Sequence, residues 1–76
     1  MNIDEKTKLT FKLLGKRIQK LREDKNISIE ELSTKTGIKK EYLKKIENGV
    51  AFGLLIEKHL VKIAKAFDIR LFELFN

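Results

Sequence analysis

The spacing of the apolar residues constrains the fold of this 76-residue chain more than any other feature. Apolar side chains recur three and four positions apart, as they do on one face of an α-helix, and few segments alternate like a β-strand. Proline is absent, and glycine occurs only at positions 15, 37, 49 and 53, so long stretches can remain helical. We therefore predict an all-α, compact five-helix fold that forms one domain over residues 1–76.

The apolar stripes also place the helices along the chain. A polar extension of about residues 1–8 precedes the first helix, and an uncharged loop at Val50–Gly53 separates the third helix from the fourth. The helices are expected at about Thr7–Lys25, from Ser28 to a turn at Gly37, at Lys39–Glu47, at Leu55–Phe67, and in a short last helix with Ile69, Leu71, Leu74 and Phe75 that closes the core.

Two short helices that share a tight turn lie in the middle of the chain. Ser28 is followed three positions later by Glu31, which is the capping box that marks the start of a helix. Gly37 has no Cβ, and this suits the left-handed backbone of a sharp turn between helices. Apolar residues that can anchor the next helix follow the turn. This combination predicts a helix-turn-helix at about residues 28–47.

The composition favours a polyanionic partner. Seventeen Lys and Arg residues outnumber eleven Asp and Glu residues, for a net charge of +6. Such a domain prefers nucleic acid or an anionic membrane surface. A membrane surface is the less favoured partner, because no helix combines a wide apolar face, aromatic anchors and a fully basic face.

Catalysis, a metal and a cofactor are not expected. The chain has no cysteine, a single histidine (His59) and no glycine-rich phosphate loop. We therefore predict a protein that is not an enzyme, in which His59 is structural. No apolar stretch approaches the ~20 residues that span a bilayer, and the polar start is unlike a secretory signal, so a cytoplasmic location is expected.

The third helix has an outer face on which most side chains are basic. With Ile38, Leu43 and Ile46 turned inward, this face carries Lys40, Glu41, Lys44 and Lys45, with Lys39 and Tyr42 near its start. A protruding helix about 10–12 Å across fits the major groove of B-DNA. The alternative is an ordinary solvated face.

Several segments in register resemble a known family. The sequence "LGKRIQKLREDKNISIEELSTKTGIKKEYLKKIENG", followed by "LVKIAKAFDIRLFELF", is similar to the Cro/C1-type helix-turn-helix family of phage repressors, restriction controllers and antitoxins. The resemblance covers about residues 14–75 and implies a lambda-repressor-like DNA-binding domain.

The resemblance also implies roles for individual residues. Lys40 and Glu41 match the start of the recognition helix, where side chains reach base edges, and Lys45 matches a position one turn later. Arg22 and Glu47 match positions that often form a buried ion pair between the first and third helices. The complete set expected at DNA is Ser28, Lys39, Lys40, Glu41, Tyr42, Lys44, Lys45 and Asn48.

The chain departs from the family pattern at three places. Ile29 stands where the family usually has a Gln that touches phosphate, so that contact is lost or moved. Lys39 replaces the usual Ser cap and opposes the helix dipole, although a cation is useful beside phosphate. The loop with Phe52 and Leu54 is uncharged, and it either folds onto the core or is exposed for a partner.

The sequence leaves two possible roles open for each of three side chains. Glu41 can accept from a cytosine amino group or form local ion pairs with Lys44 or Lys45, which we prefer. Tyr42 can contact DNA or cover the first helix. Phe72 with Phe75 can form a two-fold dimer patch, as many members of the family do, or pack in the core.

The function expected from these features is sequence-specific binding of double-stranded DNA. We predict a transcriptional regulator, most simply a repressor, that binds an inverted-repeat operator as a homodimer. The alternative is a protein-interaction module of the same fold, an antitoxin or co-regulator, that binds a protein partner through the apolar residues 50–56 and Phe72.

Overall fold

The regular structure consists of four α-helices and a C-terminal 3₁₀ helix in the computed structural model, which describes residues 4–51 and 56–75. No strand occurs in these two ranges, so the all-α prediction is confirmed for them. The elements are α1 (Glu5–Asp24), α2 (Ile29–Thr36), α3 (Lys40–Glu47), α4 (Ile56–Ala66) and the 3₁₀ helix (Leu71–Phe75).

Helix α1 begins earlier than the sequence suggested. The Asp4 carboxylate accepts a hydrogen bond from the backbone N–H of Thr7 at 2.8 Å and caps the helix, so that Glu5 is already helical. The capping bond and the nearby backbone lower the pKa of Asp4. The predicted polar extension of about residues 1–8 is therefore too long. Its later polar residues form the first turn of α1, and the Asp4 cap stabilises that turn.

The predicted ends of α2 are confirmed. The Ser28 hydroxyl accepts from the backbone N–H of Glu31 at 3.0 Å, and the Glu31 carboxylate accepts from the backbone N–H of Ser28 at 3.3 Å. Gly37 ends the helix with a φ of 74°, and its N–H donates to the carbonyl of Ser33 at 2.8 Å. The Ser33 hydroxyl then donates to the carbonyl of Ile38 at 2.6 Å, which secures the turn.

Helix α3 has the weak start that the sequence predicted. Lys39 occupies the N-cap position and makes no capping hydrogen bond with its side chain. Asn48 ends the helix, and Gly49 follows with a φ of 75°. The observed α4, Ile56–Ala66, is close to the prediction of Leu55–Phe67, although Leu55 lies outside the described residues.

The predicted last short helix is present as a 3₁₀ helix rather than a fifth α-helix, and it contributes less to the core than expected. Residues 71–75 form a 3₁₀ helix, in which only Leu74 is buried, while Leu71 and Phe75 are exposed. Asp68, with a φ of 57°, turns the chain after α4. A five-residue 3₁₀ segment turns one side chain in three toward the same side, so it cannot bury all its apolar residues.

A single core lies where the helices meet. The 3₁₀ helix packs against α1 and α4, and α2 packs against α3 and α4. Helix α1 crosses α3 at Gly15, which is buried against the end of α3. The buried apolar side chains in the described ranges are Leu14, Ile18, Leu32, Ile38, Leu43, Ile46, Ala51, Leu60, Ile63, Ala64, Phe67 and Leu74.

Within the described ranges, none of the helices has the length and apolar composition needed to cross a membrane.

Candidate nucleic-acid interface

Helix α3 has one buried face and one exposed face. Leu43 and Ile46 lie in the core, which fixes the rotation of the helix. The side chains of Lys39, Glu41, Lys44, Lys45 and Asn48 are exposed as a result. The outward basic face inferred from the sequence is thus a real surface of the folded chain.

The predicted ion pair between Arg22 and Glu47 is present and fixes the end of α3. The Nε and Nη2 atoms of Arg22 donate to the two carboxylate oxygens of Glu47 at 2.8 and 3.2 Å. Its Nη1 atom donates to the carbonyl of Ile27 at 2.9 Å. The side chains of Arg22 and Glu47 are only 14% and 8% exposed. The hydrogen bonds to Glu47 raise the pKa of Arg22 against the opposing effect of burial, so one guanidinium ties α1, the loop after it and α3 together.

Lys40 has a partner that the sequence did not suggest. Its Nζ atom lies 3.5 Å from a carboxylate oxygen of Glu30, in the first turn of α2. The backbone N–H of Glu30 itself, followed by the charges of Lys40 and Lys44, lowers the pKa of the Glu30 carboxyl. Glu30 therefore pairs with Lys40 and also feels the charge of Lys44. Sequence reasoning missed it because residues 30 and 40 are on different helices and share no local periodicity.

The local ion pairs that we preferred for Glu41 are not found. Glu41 is exposed and, among the residues that the structure describes, makes no ion pair with Lys44 or Lys45. Long side chains in water lose conformational entropy when held together, and this offsets most of the attraction.

Tyr42 makes a contact that neither sequence interpretation anticipated. Its ring is partly buried and lies against the ring of His59 in α4, with centroids 4.9 Å apart and planes tilted by 56°. The Nδ1 atom of His59 is buried and has no hydrogen-bond partner in the part of the chain described. Burial, followed by the charges of Lys62 and Lys58, lowers the pKa of His59.

His59 should make the stability of the domain depend on pH. Its folded pKa lies below the unfolded value of about 6.5, so the unfolded state binds more protons below that pH. Stability is then fully present above pH ~6.5 and is lost as the pH falls through the folded pKa. We expect urea denaturation to show a weaker domain at pH 5.5 than at pH 7.5.

The matched control for this pH effect is His59→Gln, which cannot titrate. The difference in unfolding free energy between pH 7.5 and 5.5 should shrink in this variant. An unchanged difference would mean that other groups produce it.

The remaining predicted residues occupy different parts of the surface. The Ser28 hydroxyl is the cap of α2. Ile29 is partly buried against the core, and its apolar side chain has no hydrogen-bond donor for phosphate. Phe72 and Phe75 are 59% and 55% exposed, which excludes the core-packing interpretation of Phe72. Phe52 and Leu54 lie outside the described residues.

The observation that decides the family is a match over most of the chain. Residues 15–76 match the family model described as a helix-turn-helix domain. The chain belongs to the Cro/C1-type helix-turn-helix family. The family's two-helix motif corresponds to α2 and α3.

A solved structure supports the same assignment. The chain is similar to the restriction-modification controller protein C.AhdI from Aeromonas hydrophila, with 32% identity and a TM-score of 0.77. The similarity covers 86% of this chain and 96% of that protein. Among curated proteins, no significant match was found.

Proposed function

We propose that the chain is a transcriptional regulator that binds double-stranded DNA sequence-specifically, as a homodimeric repressor without catalytic activity or a cofactor. The observation that carries the proposal is the exposed basic face of α3. Its orientation is set by the core and by the pair of Arg22 and Glu47. The helix-turn-helix family and the similarity to a restriction-modification controller support the same role.

The two lysines at the end of α3 are the main contributors in this proposal. Lys44 and Lys45 are exposed, and neither makes an ion pair within the described residues. A lysine or arginine that contacts a guanine edge contributes about 1–3 kcal/mol of discrimination against the wrong base. Lysines that contact phosphate add affinity without sequence preference. This affinity falls as the salt concentration rises, because releasing the DNA counterions into a more concentrated solution gains less free energy.

Glu30 is expected to reduce non-specific DNA affinity, because its carboxylate holds the Nζ atom of Lys40. Glu30→Gln removes that charge and makes Lys40 available to phosphate. We expect tighter binding to random duplexes, and a plot of log K against log salt that is steeper by about 0.9 for one added phosphate contact. Fluorescence anisotropy between 50 and 200 mM salt measures both.

The control for Glu30→Gln is Glu23→Gln, which removes an exposed carboxylate on α1 that accepts a hydrogen bond from the side chain of Gln19 and, within the described residues, makes no ion pair. Both variants change the net charge by one unit. Equal effects of the two variants would mean that overall charge, rather than the pair with Lys40, sets the non-specific affinity.

Selection of bound duplexes from a random library, at about 150 mM salt to suppress non-specific binding, tests the proposed function. A homodimer places two recognition helices in successive major grooves about 34 Å apart. We expect an enriched inverted repeat with half-sites one helical turn apart. Binding that disappears with salt and enriches no sequence would contradict the proposal.

The second candidate function is the protein-interaction module, and exposed apolar side chains favour it. Val50 and Phe72 are more than half exposed. Weak DNA binding without sequence preference, together with tight binding of a protein partner that is lost in Phe72→Ser, would support this function instead.

A further inference from the structure

The two ends of α3 are held in place by different kinds of contact. Its last residue, Glu47, forms the buried ion pair with Arg22. At its first turn, Lys39 provides no side-chain cap. The pair of Lys40 with Glu30 is exposed and therefore stabilises the turn only a little. The orientation of the first turn thus depends on packing.

Part of that packing comes from α4. Tyr42 belongs to the first turn of α3, and its ring is partly buried against the ring of His59. The ring centroids are 4.9 Å apart and the planes are tilted by 56°, as in a favourable aromatic pair. Leu43 anchors the same turn in the core. Tyr42 points about 100° away from Leu43 around the helix, so the two contacts together hold the turn against rotation.

We propose that His59 is a positioning residue for DNA recognition, which holds the first turn of α3 through Tyr42 and releases it when the imidazole is protonated. Lys40 and Glu41, which are expected at base edges, directly precede Tyr42, so a shift of Tyr42 moves both. The inference rests on the proposed function and adds to it a residue on α4 that controls discrimination between DNA sequences.

The surroundings of the His59 ring suit its neutral form. Its Nδ1 atom is buried and has no hydrogen-bond partner within the described residues. A neutral imidazole with its proton on Nε2 leaves Nδ1 as a bare acceptor. Protonation would add an N–H at Nδ1, and a buried donor without an acceptor is costly. The packing of His59 on Tyr42 therefore belongs to the neutral ring.

The charges on α4 also oppose protonation of His59. After burial, the charges of Lys62 and Lys58 lower its pKa. Glu57 lies two positions from His59 on the helix, so the two side chains do not face each other. Within the described residues, His59 makes no ion pair.

The elements around α4 supply no counter-charge either. On α2, Lys35 lines a groove together with Lys62. On α3, Lys39 and Lys45 lie three positions before and after Tyr42. None of the carboxylates on α2, α3 and the 3₁₀ helix pairs with His59 in the described ranges, and these belong to Glu30, Glu31, Glu41, Glu47 and Glu73. A protonated His59 is therefore left without a partner beside Tyr42.

Binding of the full chain to a selected operator and to random duplexes at pH 7.5 tests the positioning role. His59→Gln removes the ring and should lower the operator affinity at least about fivefold, as the weakening of one base contact does. Random duplexes should bind within about twofold of the wild type, because phosphate contacts are unaffected. His59→Phe keeps a ring against Tyr42 and should retain the operator affinity. Unchanged discrimination in His59→Gln, or equal losses in both variants, would overturn the inference.

A double variant tests whether His59 acts through Tyr42. Tyr42→Leu removes the contact from the other side, so adding His59→Gln to it should cause no further loss of discrimination. Losses that add in the double variant would mean that His59 acts by another route.

The pH profile is a readout that a purely structural role does not move. The ratio of operator to random affinity should fall as the pH drops through the folded pKa of His59. Between pH 7.5 and 5.5 the fall is at most about tenfold, the limit for one group whose pKa lies below 6.5. The ratio should stay constant in His59→Phe, and equal falls in the two proteins would overturn the inference. Circular dichroism at each pH checks that both chains remain folded.

Tyrosine fluorescence follows the same contact without DNA. Tyr42 is the chain's only tyrosine, and tryptophan is absent, so the emission comes from Tyr42. Between pH 7.5 and 5.5 the emission of the wild type should change with the same midpoint as the affinity ratio, and that of His59→Phe should not. A change that persists in His59→Phe, or one without a loss of discrimination, would overturn the inference.

The outcomes separate this inference from the proposed function. A wild-type chain that selects an operator, but in which His59 affects neither the discrimination nor its pH profile, would overturn the inference alone. A chain that selects no operator would overturn the proposed function, and the inference with it.

Discussion

Arg22→Ala is expected to lower the free energy of unfolding by about 3–5 kcal/mol. The substitution leaves the Glu47 carboxylate, which is 8% exposed, without the two hydrogen bonds it receives at 2.8 and 3.2 Å. It also leaves the carbonyl of Ile27 without its donor. Urea denaturation at pH 7.5 gives the free-energy difference directly.

A matched control separates this buried pair from an ordinary surface pair. Lys20→Ala removes a cation on the same helix, but its partner Asp24 is exposed and the pair is 3.3 Å apart in water. We expect a change of less than about 1 kcal/mol for it. Equal losses for the two variants would mean that Arg22 contributes no more than a surface charge.

The double variant Arg22→Ala with Glu47→Ala shows where the loss comes from. If the stranded carboxylate dominates, removing it as well should recover part of the stability. Losses that simply add would mean that each residue contributes through packing alone.

The second large effect is expected at Gly15, in the middle of α1. In an exposed helix position, alanine would be more stable than glycine by about 1 kcal/mol. At Gly15, however, a Cβ atom would lie 2.5 Å from the carbonyl oxygen of Ile46 and closer still to that of Glu47. These are backbone atoms of α3, so the helices must separate.

We therefore expect Gly15→Ala to lower the unfolding free energy by about 2–3 kcal/mol, since overpacking outweighs the gain in helix propensity. Thermal denaturation followed by circular dichroism measures the loss. The control is Lys16→Ala, the adjacent exposed position, which should change stability little. A Gly15→Ala variant more stable than the wild type would show that α1 and α3 can move apart without cost.

Gly15→Ala should also weaken sequence-specific DNA binding in the proposed function. Separation of α1 from α3 disturbs the pair of Arg22 and Glu47, which sets the end of the recognition helix. Measured below the unfolding temperature, the affinity for a selected operator should fall more than the affinity for random duplexes.

The helix-turn-helix was predictable because its signals are local. A capping box spans four residues, and its hydrogen bonds form between Ser28 and Glu31 without help from the rest of the chain. The left-handed turn at Gly37 depends on the absence of one Cβ atom. The start of α1 was missed for an equally local reason, since the Asp4 cap precedes the first apolar residues by which the helix was found.

The ion pair of Arg22 with Glu47 came from a different source. Nothing in the spacing of two residues 25 positions apart indicates that they touch, and the expectation came from the family resemblance alone. The exposed residues of α3 were predicted from helical periodicity. Whether Lys40, Lys44 and Lys45 contact bases stays a prediction.

The sequence by itself determined the positions of α2, α3 and α4, the cap of α2, the turn at Gly37 and the basic outer face of α3, because each depends on side chains within one or two helical turns. Only the tertiary structure decided that Glu30 holds Lys40 and that Tyr42 packs on His59. These contacts join residues on different helices, and their formation depends on how the helices cross. The crossing of α1 and α3 at Gly15, where no side chain intervenes, is the clearest instance of that dependence.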